Sequence, residues 1–262
     1  MNRIDKKFKE LKARDKKAFI AFVTCGYPDI AVTEKLVLEL DRSGADIVEL
    51  GVPFSDPIAD GPVIQEASVK ALLNKINLYD VLSLVKRLRR KTEIPLCAMT
   101  YYNPVFCFGE ERFLREARKA GLDGLIIPDL PPEEAGSLLK LSRSYGLDVI
   151  LFLSPTSSRE RAKFIVKKAR GFIYYVSLTG VTGSRKSLPA DMSKNIKEIK
   201  KITDIPVCVG FGVSAPEHVR QVYKVADGAI VGSAIIQQIK ANAGKRDLVK
   251  KVGSFVKRLA NV

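Results

Sequence analysis

The chain has 262 residues, 46% of them apolar, with 44 Lys and Arg against 29 Asp and Glu for a net charge of +15. That length and apolar content supply a sizeable buried core, which excludes collagen-like, disordered and disulfide-scaffold classes. Four cysteines, Cys25, Cys97, Cys107 and Cys208, occur without a C-x-x-C pair and mostly within apolar runs, where a reduced thiol acts as a small hydrophobe, so a cytoplasmic setting is expected. Residues 1–7 are charged and amphipathic, and no stretch has the apolar length of a signal-peptide core or a membrane span, so no membrane association is expected.

In chain order, the basic stretch holding Lys6, Lys7, Lys9, Lys12, Arg14, Lys16 and Lys17 reads as a leading helix. Short runs rich in Val, Ile and Phe follow at 18–24, 46–50, 96–100, 124–128, 149–153, 172–177, 207–210 and 228–231. Between and after them come stretches of helical periodicity at 30–42, 78–91, 110–120, 132–145, 158–168, 191–201, 215–224 and 233–241, with 246–260 closing the chain. Strands alternating with helices are the reading. Asp29, Ser158 and Ser214 are cap-type residues ahead of helices, while Gly44, Gly121, Gly146 and Gly171 follow helix ends. Units of roughly 30 residues, repeated in a chain near the ~250 typical of such folds, predict an α/β fold: a (β/α)8 TIM-type barrel with an extra N-terminal helix. A doubly wound open sheet is the alternative, but it usually carries G-x-G-x-x-G after its first strand, and Thr24-Cys25-Gly26-Tyr27-Pro28 is not that turn. No linker-like or low-complexity tract divides residues 1–262, which predicts a single domain.

The excess charge collects on the first helix, on residues 86–91 and on the last helix, where Lys240, Lys245, Lys250, Lys251 and Lys257 fall. The 86–91 run contains no aromatic residue, and nucleic-acid surfaces interleave the two, so solvated helix ends are expected and no nucleic-acid partner.

In a barrel the site lies at the C-terminal ends of the strands. Glu49 interrupts an apolar strand there, and alternation places it on the side opposite Val48 and Leu50. Pointed into the barrel, it is desolvated and becomes a proton donor and acceptor near neutral pH. The loop from Gly51 to Pro62 holds a second carboxylate over the same mouth, either Asp60 or Asp56. Glycine-rich turns follow the last three strands: Thr179-Gly180-Val181-Thr182-Gly183, Gly210-Phe211-Gly212-Val213-Ser214 and Val231-Gly232-Ser233-Ala234. Backbone N–H groups there, with a helix beginning at Ser233, point to a phosphorylated substrate. No strand run contains a lysine, and His218 is the one histidine, so Schiff-base, His-metal and Ser-His chemistry lack material. Carboxylate proton transfer remains, with Tyr101, Tyr102, Tyr174 or Tyr175 available to assist.

The run Glu49-Leu50-Gly51-Val52-Pro53-Phe54-Ser55-Asp56-Pro57 continuing to Ala59-Asp60-Gly61-Pro62 resembles the signature of the tryptophan synthase alpha chain family. The resemblance runs nearly end to end, through Phe22-Val23-Thr24, Met99-Thr100-Tyr101-Tyr102-Asn103-Pro104, Pro128-Asp129-Leu130-Pro131 and the three glycine-rich turns. It implies cleavage of indole-3-glycerol phosphate to indole and glyceraldehyde 3-phosphate, with no cofactor in this chain. It also implies a pyridoxal-phosphate-dependent beta chain as partner in an alpha-beta-beta-alpha heterotetramer. By the same resemblance Glu49 protonates indole C3 and Asp60 holds the indole N–H. Gly183, Phe211, Gly212, Gly232 and Ser233 take the phosphate. Phe22, Met99, Tyr101, Ile126 and Phe211 line the indole pocket, and Thr182 reaches Asp60. The family's strand-six tyrosine falls on Tyr174 by counting back from Ser177, and only one of Tyr174 and Tyr175 can face inward. A non-catalytic regulatory subunit and a basic nucleic-acid-binding barrel are the alternatives.

Overall fold

The computed structural model describes residues 1–176, 190–210 and 212–262. Its strands are β1 (Ala18–Thr24), β2 (Ile47–Gly51), β3 (Leu96–Met99), β4 (Gly124–Ile126), β5 (Asp148–Leu153), β6 (Ile173–Val176), β7 (Val207–Gly210) and β8 (Gly228–Val231). They pair in parallel in sequence order, and β8 closes on β1. The helices are α1 (Arg3–Ala13), α2 (Ile30–Arg42), α3 (Pro62–Leu73), α4 (Leu78–Leu88), α5 (Tyr102–Phe108), α6 (Glu110–Ala120), α7 (Gly136–Tyr145), α8 (Arg159–Lys168), α9 (Ala190–Lys200), α10 (Pro216–Tyr223), α11 (Ser233–Asn242) and α12 (Leu248–Ala260). The expected barrel with an added N-terminal helix is what forms.

Local chemistry explains most boundaries. The Asp29 carboxylate accepts from Val32 N–H at 2.7 Å, and Ser158 Oγ from Arg161 N–H at 3.2 Å, so α2 and α8 begin where cap residues stand. Gly121 and Gly146 end α6 and α7 in the left-handed region, where a Cβ would be strained. Ser214 is not the cap expected of it: α10 starts at Pro216 behind Ala215, and Ser214 sits 3.4 Å from His218 Nδ1.

Register sorts each strand into two faces. Phe22, Glu49 and Cys97 are cross-strand neighbours, as are Gly51, Met99 and Ile126, and Phe152, Tyr174 and Cys208. These residues face the barrel interior, while Val48, Leu50, Leu151 and Tyr175 pack beneath the helices. Below them α1 closes the floor: Ile4, Phe8 and Leu11 pack with Ala18, Ile20, Ile47 and Phe172, so the interior is a filled core.

The floor is also tied electrostatically. Asp46, Asp123 and Asp227, each just ahead of an even-numbered strand, accept from Phe19, Leu96 and Val207 N–H on the preceding strand at 2.9, 2.9 and 3.0 Å. Arg89 grips Asp123 at 2.6 Å and also donates to the Gly121 and Ile94 carbonyls. Its side chain is only 10% exposed, so the expectation of a fully solvated 86–91 run fails at this residue. Elsewhere in the run, Arg87 and Lys91 do lie at the surface, both on Glu34 at 2.7 Å.

Candidate active site

Glu49 stands two residues before the end of an apolar strand, so the fold carries it into the barrel with its neighbours. It is 0% exposed, and neither carboxyl oxygen has a hydrogen-bond partner among the described residues. Burial alone pushes its pKa up to about 8, because nothing nearby compensates the charged form. At neutral pH this group carries its proton.

After β2 the chain turns through a proline-rich loop and enters α3 at Gly61, with Pro62 at the first helical position. This geometry separates the two aspartates. Asp56 is exposed and takes the Ser55 hydroxyl at 2.5 Å, whereas Asp60 is half-buried beside Tyr101. Desolvation lifts Asp60 to about 6, and the Tyr101 hydroxyl partly offsets the rise. Tyr101 itself caps α5, accepts from Ala59 N–H at 3.0 Å, and stacks on Phe54 with ring centroids 5.1 Å apart. The loop is therefore fastened to the barrel at the residue next to Asp60.

Tyr174 faces inward and Tyr175 outward, where the latter's hydroxyl accepts from Asn195 at 3.3 Å. Burial first, then the neighbouring Glu49 and Asp60 carboxyls, hold the Tyr174 phenol protonated. Its ring packs on Phe152 at 4.9 Å and covers Gly210, where a Cβ would come within 2.4 Å of it. Phe22 similarly lies over Gly51, where a Cβ would meet its ring at 2.5 Å. Met99 and Ile126 complete the inward wall, so Glu49, Tyr174, Phe22, Met99 and Ile126 share the interior and Asp60 with Tyr101 lies over it.

On the β7 and β8 side, Gly212 is exposed with φ +69 and open space where a Cβ would stand. Gly232 caps α11, which begins at the exposed Ser233. Thr182, Gly183 and Phe211 lie outside the described residues. Two inward residues escaped the sequence reading, Cys97 beside Glu49 and Phe152 beneath Tyr174; alternation within their strands was the available signal.

Residues 8–262 match the family model for the tryptophan synthase alpha chain. The chain is 48% identical over 259 residues to the tryptophan synthase alpha chain of Geobacter sp. strain M21, covering 99% of this chain and 97% of that one. The chain belongs to the tryptophan synthase alpha chain family. Among solved structures, the alpha subunit from Legionella pneumophila str. Paris is similar with a TM-score of 0.93 at 40% identity, covering 100% of this chain and 98% of that one. A chain of the tryptophan synthase complex from Pyrococcus furiosus has a TM-score of 0.86 at 36% identity, covering 94% and 98%. As a member of this family the protein is a carbon–carbon lyase of tryptophan biosynthesis, cleaving indole-3-glycerol phosphate to indole and glyceraldehyde 3-phosphate. Nothing favours the regulatory or nucleic-acid alternatives.

Proposed function

We propose that Glu49 is the acid and base of this cleavage and Asp60 its electrostatic partner. The observation that carries the assignment is a fully buried, unpaired carboxyl inside the barrel whose pKa of about 8 leaves it protonated at neutral pH. Glu49 gives its proton to indole C3, which converts the pyrrole ring to an indolenine with a C=N bond at the ring nitrogen. Asp60, ionised above about pH 6, accepts from the ring N–H and balances the positive charge that develops there. The bond from C3 to the first glycerol carbon then breaks and its electron pair restores the aromatic ring. The hydroxyl on that carbon becomes the aldehyde of glyceraldehyde 3-phosphate, and its proton passes to the Glu49 carboxylate, regenerating the acid. Tyr174, which burial and the two carboxyls keep protonated, is the donor assigned to the Glu49 carboxylate once its proton has passed to C3.

Phe22, Met99, Tyr101, Ile126 and Phe211 flank the indole in this reading. Its phosphate rests on backbone donors at Gly183, Phe211, Gly212, Gly232 and Ser233, with the positive end of α11 aimed at it. Thr182 reaches Asp60 when substrate is bound. No cofactor is assigned to this chain. The partner is a beta chain carrying pyridoxal phosphate, in an alpha-beta-beta-alpha assembly that receives the indole. Ile58 in the Asp60 loop and Phe106 on α5, 80% and 65% exposed, supply apolar surface on the side where such a partner docks. Residues 1–262 act as one domain, and the setting is cytoplasmic; among the described residues no helix is long and apolar enough to cross a membrane.

The experiment is indole release from indole-3-glycerol phosphate by the wild-type chain and its Glu49→Gln variant, each with and without a beta chain. Wild-type turnover that the beta chain raises, and its loss in a folded Glu49→Gln protein, are expected. Retained turnover in that variant would overturn the role given to Glu49.

A further inference from the structure

Four buried side-chain oxygens among the described residues have no hydrogen-bond partner: Thr24 Oγ1, both oxygens of Glu49, and Asp148 Oδ2. Asp148 begins β5 at the barrel floor, away from the mouth. The other three share the inner face of β1 and β2. Thr24 pairs with Gly51, and Gly51 with the inward-facing Met99, so alternation directs the Thr24 side chain into the barrel two residues beyond Phe22.

Its isolation is specific to it. The other buried threonines all bond within the chain, Thr33 to the Asp29 carbonyl at 2.8 Å, Thr92 to Asp41, and Thr100 to the Tyr101 carbonyl at 3.2 Å. Thr24 is 1% exposed, and while its carbonyl accepts from Tyr27 N–H at 3.2 Å, its hydroxyl has no partner among the described residues. A buried hydroxyl kept without a partner is costly, and valine would fill the same volume without that cost. Such a group persists where a ligand completes it.

Barrel order says which ligand group does so. Strand β1 lies between β2, which carries Glu49, and β8, which leads to Gly232 and Ser233. Phe22 touches both sides: a Cβ on Gly51 would strike its ring, and a Cβ on Gly232 would stand 3.4 Å from its Cβ. A substrate with its indole beside Glu49 and its phosphate at the start of α11 must run its three-carbon chain across the end of β1.

We propose that Thr24 is a specificity-determining residue whose hydroxyl hydrogen-bonds a hydroxyl group of the glycerol chain. This rests on the indole and phosphate ends assigned above. A threonine hydroxyl both donates and accepts, so it suits an alcohol, and a ligand with a bare alkyl linker leaves it unpaired.

The test measures equilibrium affinity in the Glu49→Gln protein, where turnover is stopped. Indole-3-glycerol phosphate and indole-3-propyl phosphate, which keeps ring and phosphate but lacks both hydroxyls, are titrated calorimetrically against chains bearing Thr, Val or Ser at position 24. Thr24→Val is expected to weaken the hydroxylated ligand about tenfold, the scale of one hydrogen bond, and to leave the propyl phosphate within about twofold; Thr24→Ser should restore the difference. Thr24→Ala carries the same expectation should the valine variant not fold. Equal weakening of both ligands, or of neither, overturns the role of Thr24. Failure of both ligands to bind the chain with Thr24 in place overturns the site assignment itself, and the inference with it.

Discussion

Glu49→Gln should change how stability depends on pH, independently of any assay of turnover. Burial lifts the folded-state pKa of Glu49 from 4.5 to about 8, so between those values the folded chain binds one proton that the unfolded chain has released. Stability contributed by this group is therefore fully present below about pH 4.5 and is lost as pH rises toward 8. Glutamine does not titrate. The stability of Glu49→Gln minus that of the wild type should climb by about 1.4 kcal/mol per pH unit across the window, amounting to about 2.5 kcal/mol between pH 5 and 7, and level off above about pH 8. Taking the difference cancels every other titrating group and any fixed cost of the buried amide. Urea unfolding of both proteins at pH 5, 6, 7 and 8, followed by circular dichroism, reads it directly. A difference that stays flat across this range would mean that Glu49 is ionised in the folded state at neutral pH, and its assignment as the proton donor to indole would fall.

The same two carboxyls predict a bell-shaped pH profile of kcat/KM, with an acidic limb near 6 from Asp60 and a basic limb near 8 from Glu49. Asp60→Asn should lower the rate and remove the acidic limb, and Tyr101→Phe should move that limb upward, because the tyrosine hydroxyl holds the Asp60 pKa down. Gly210→Ala places a methyl 2.4 Å from the Tyr174 ring, which should cost ~1–3 kcal/mol in unfolding free energy and slow turnover by displacing the phenol; an unchanged melting temperature would show that the ring has room to move. Arg89→Met removes one of the two cations on the fully buried Asp123, Arg3 remaining at 3.1 Å, and a loss of ~1–3 kcal/mol with KM unaltered is expected.

The barrel was legible because its physics is local and repeated: each strand run is nearly all apolar, most helices show one buried stripe, and the two kinds of segment alternate along the chain. All eight strands lie within two residues of their expected ends, and three of them, β1, β7 and β8, coincide with the expected runs. Two helices were not read from the sequence, for different reasons. The solvent side of α3 carries the exposed Val69 and Leu73, which erases the polar stripe that marks an amphipathic helix. The sequence of α5 is YNPVFCF, short and aromatic with a proline inside its first turn, and reads as loop. Arg89 was misjudged because the other basic residues of the run are exposed, and only tertiary structure brings Asp123 to it. At the site, alternation alone put Glu49 inside the barrel. The choice between Asp60 and Asp56 needed the loop's fold, since both stand beside prolines and only Asp60 is carried to Tyr101.

Three carboxylates at the barrel floor are tied in a way that the carboxyls at the mouth are not, and the contrast bears on where chemistry can occur. At the floor, Asp46, Asp123 and Asp227 each spend an oxygen on a backbone N–H of the preceding strand, and Lys7, Arg89 and Lys200 face them across 3.8, 2.6 and 2.6 Å. Asp148 at the same end is the exception, with one oxygen unpartnered and its pKa lifted by burial to about 7. At the mouth, the side-chain oxygens of Glu49 and Thr24 have no hydrogen-bond partner among the described residues, and Asp60 has a tyrosine in place of a cation. A cation paired with Glu49 would pull its pKa down and leave a carboxylate unable to protonate carbon. None of the described strands contains a lysine or arginine, so none supplies such a cation. In the proposed mechanism, the stability surrendered at Glu49 is the same free energy that keeps its proton available to the indole ring.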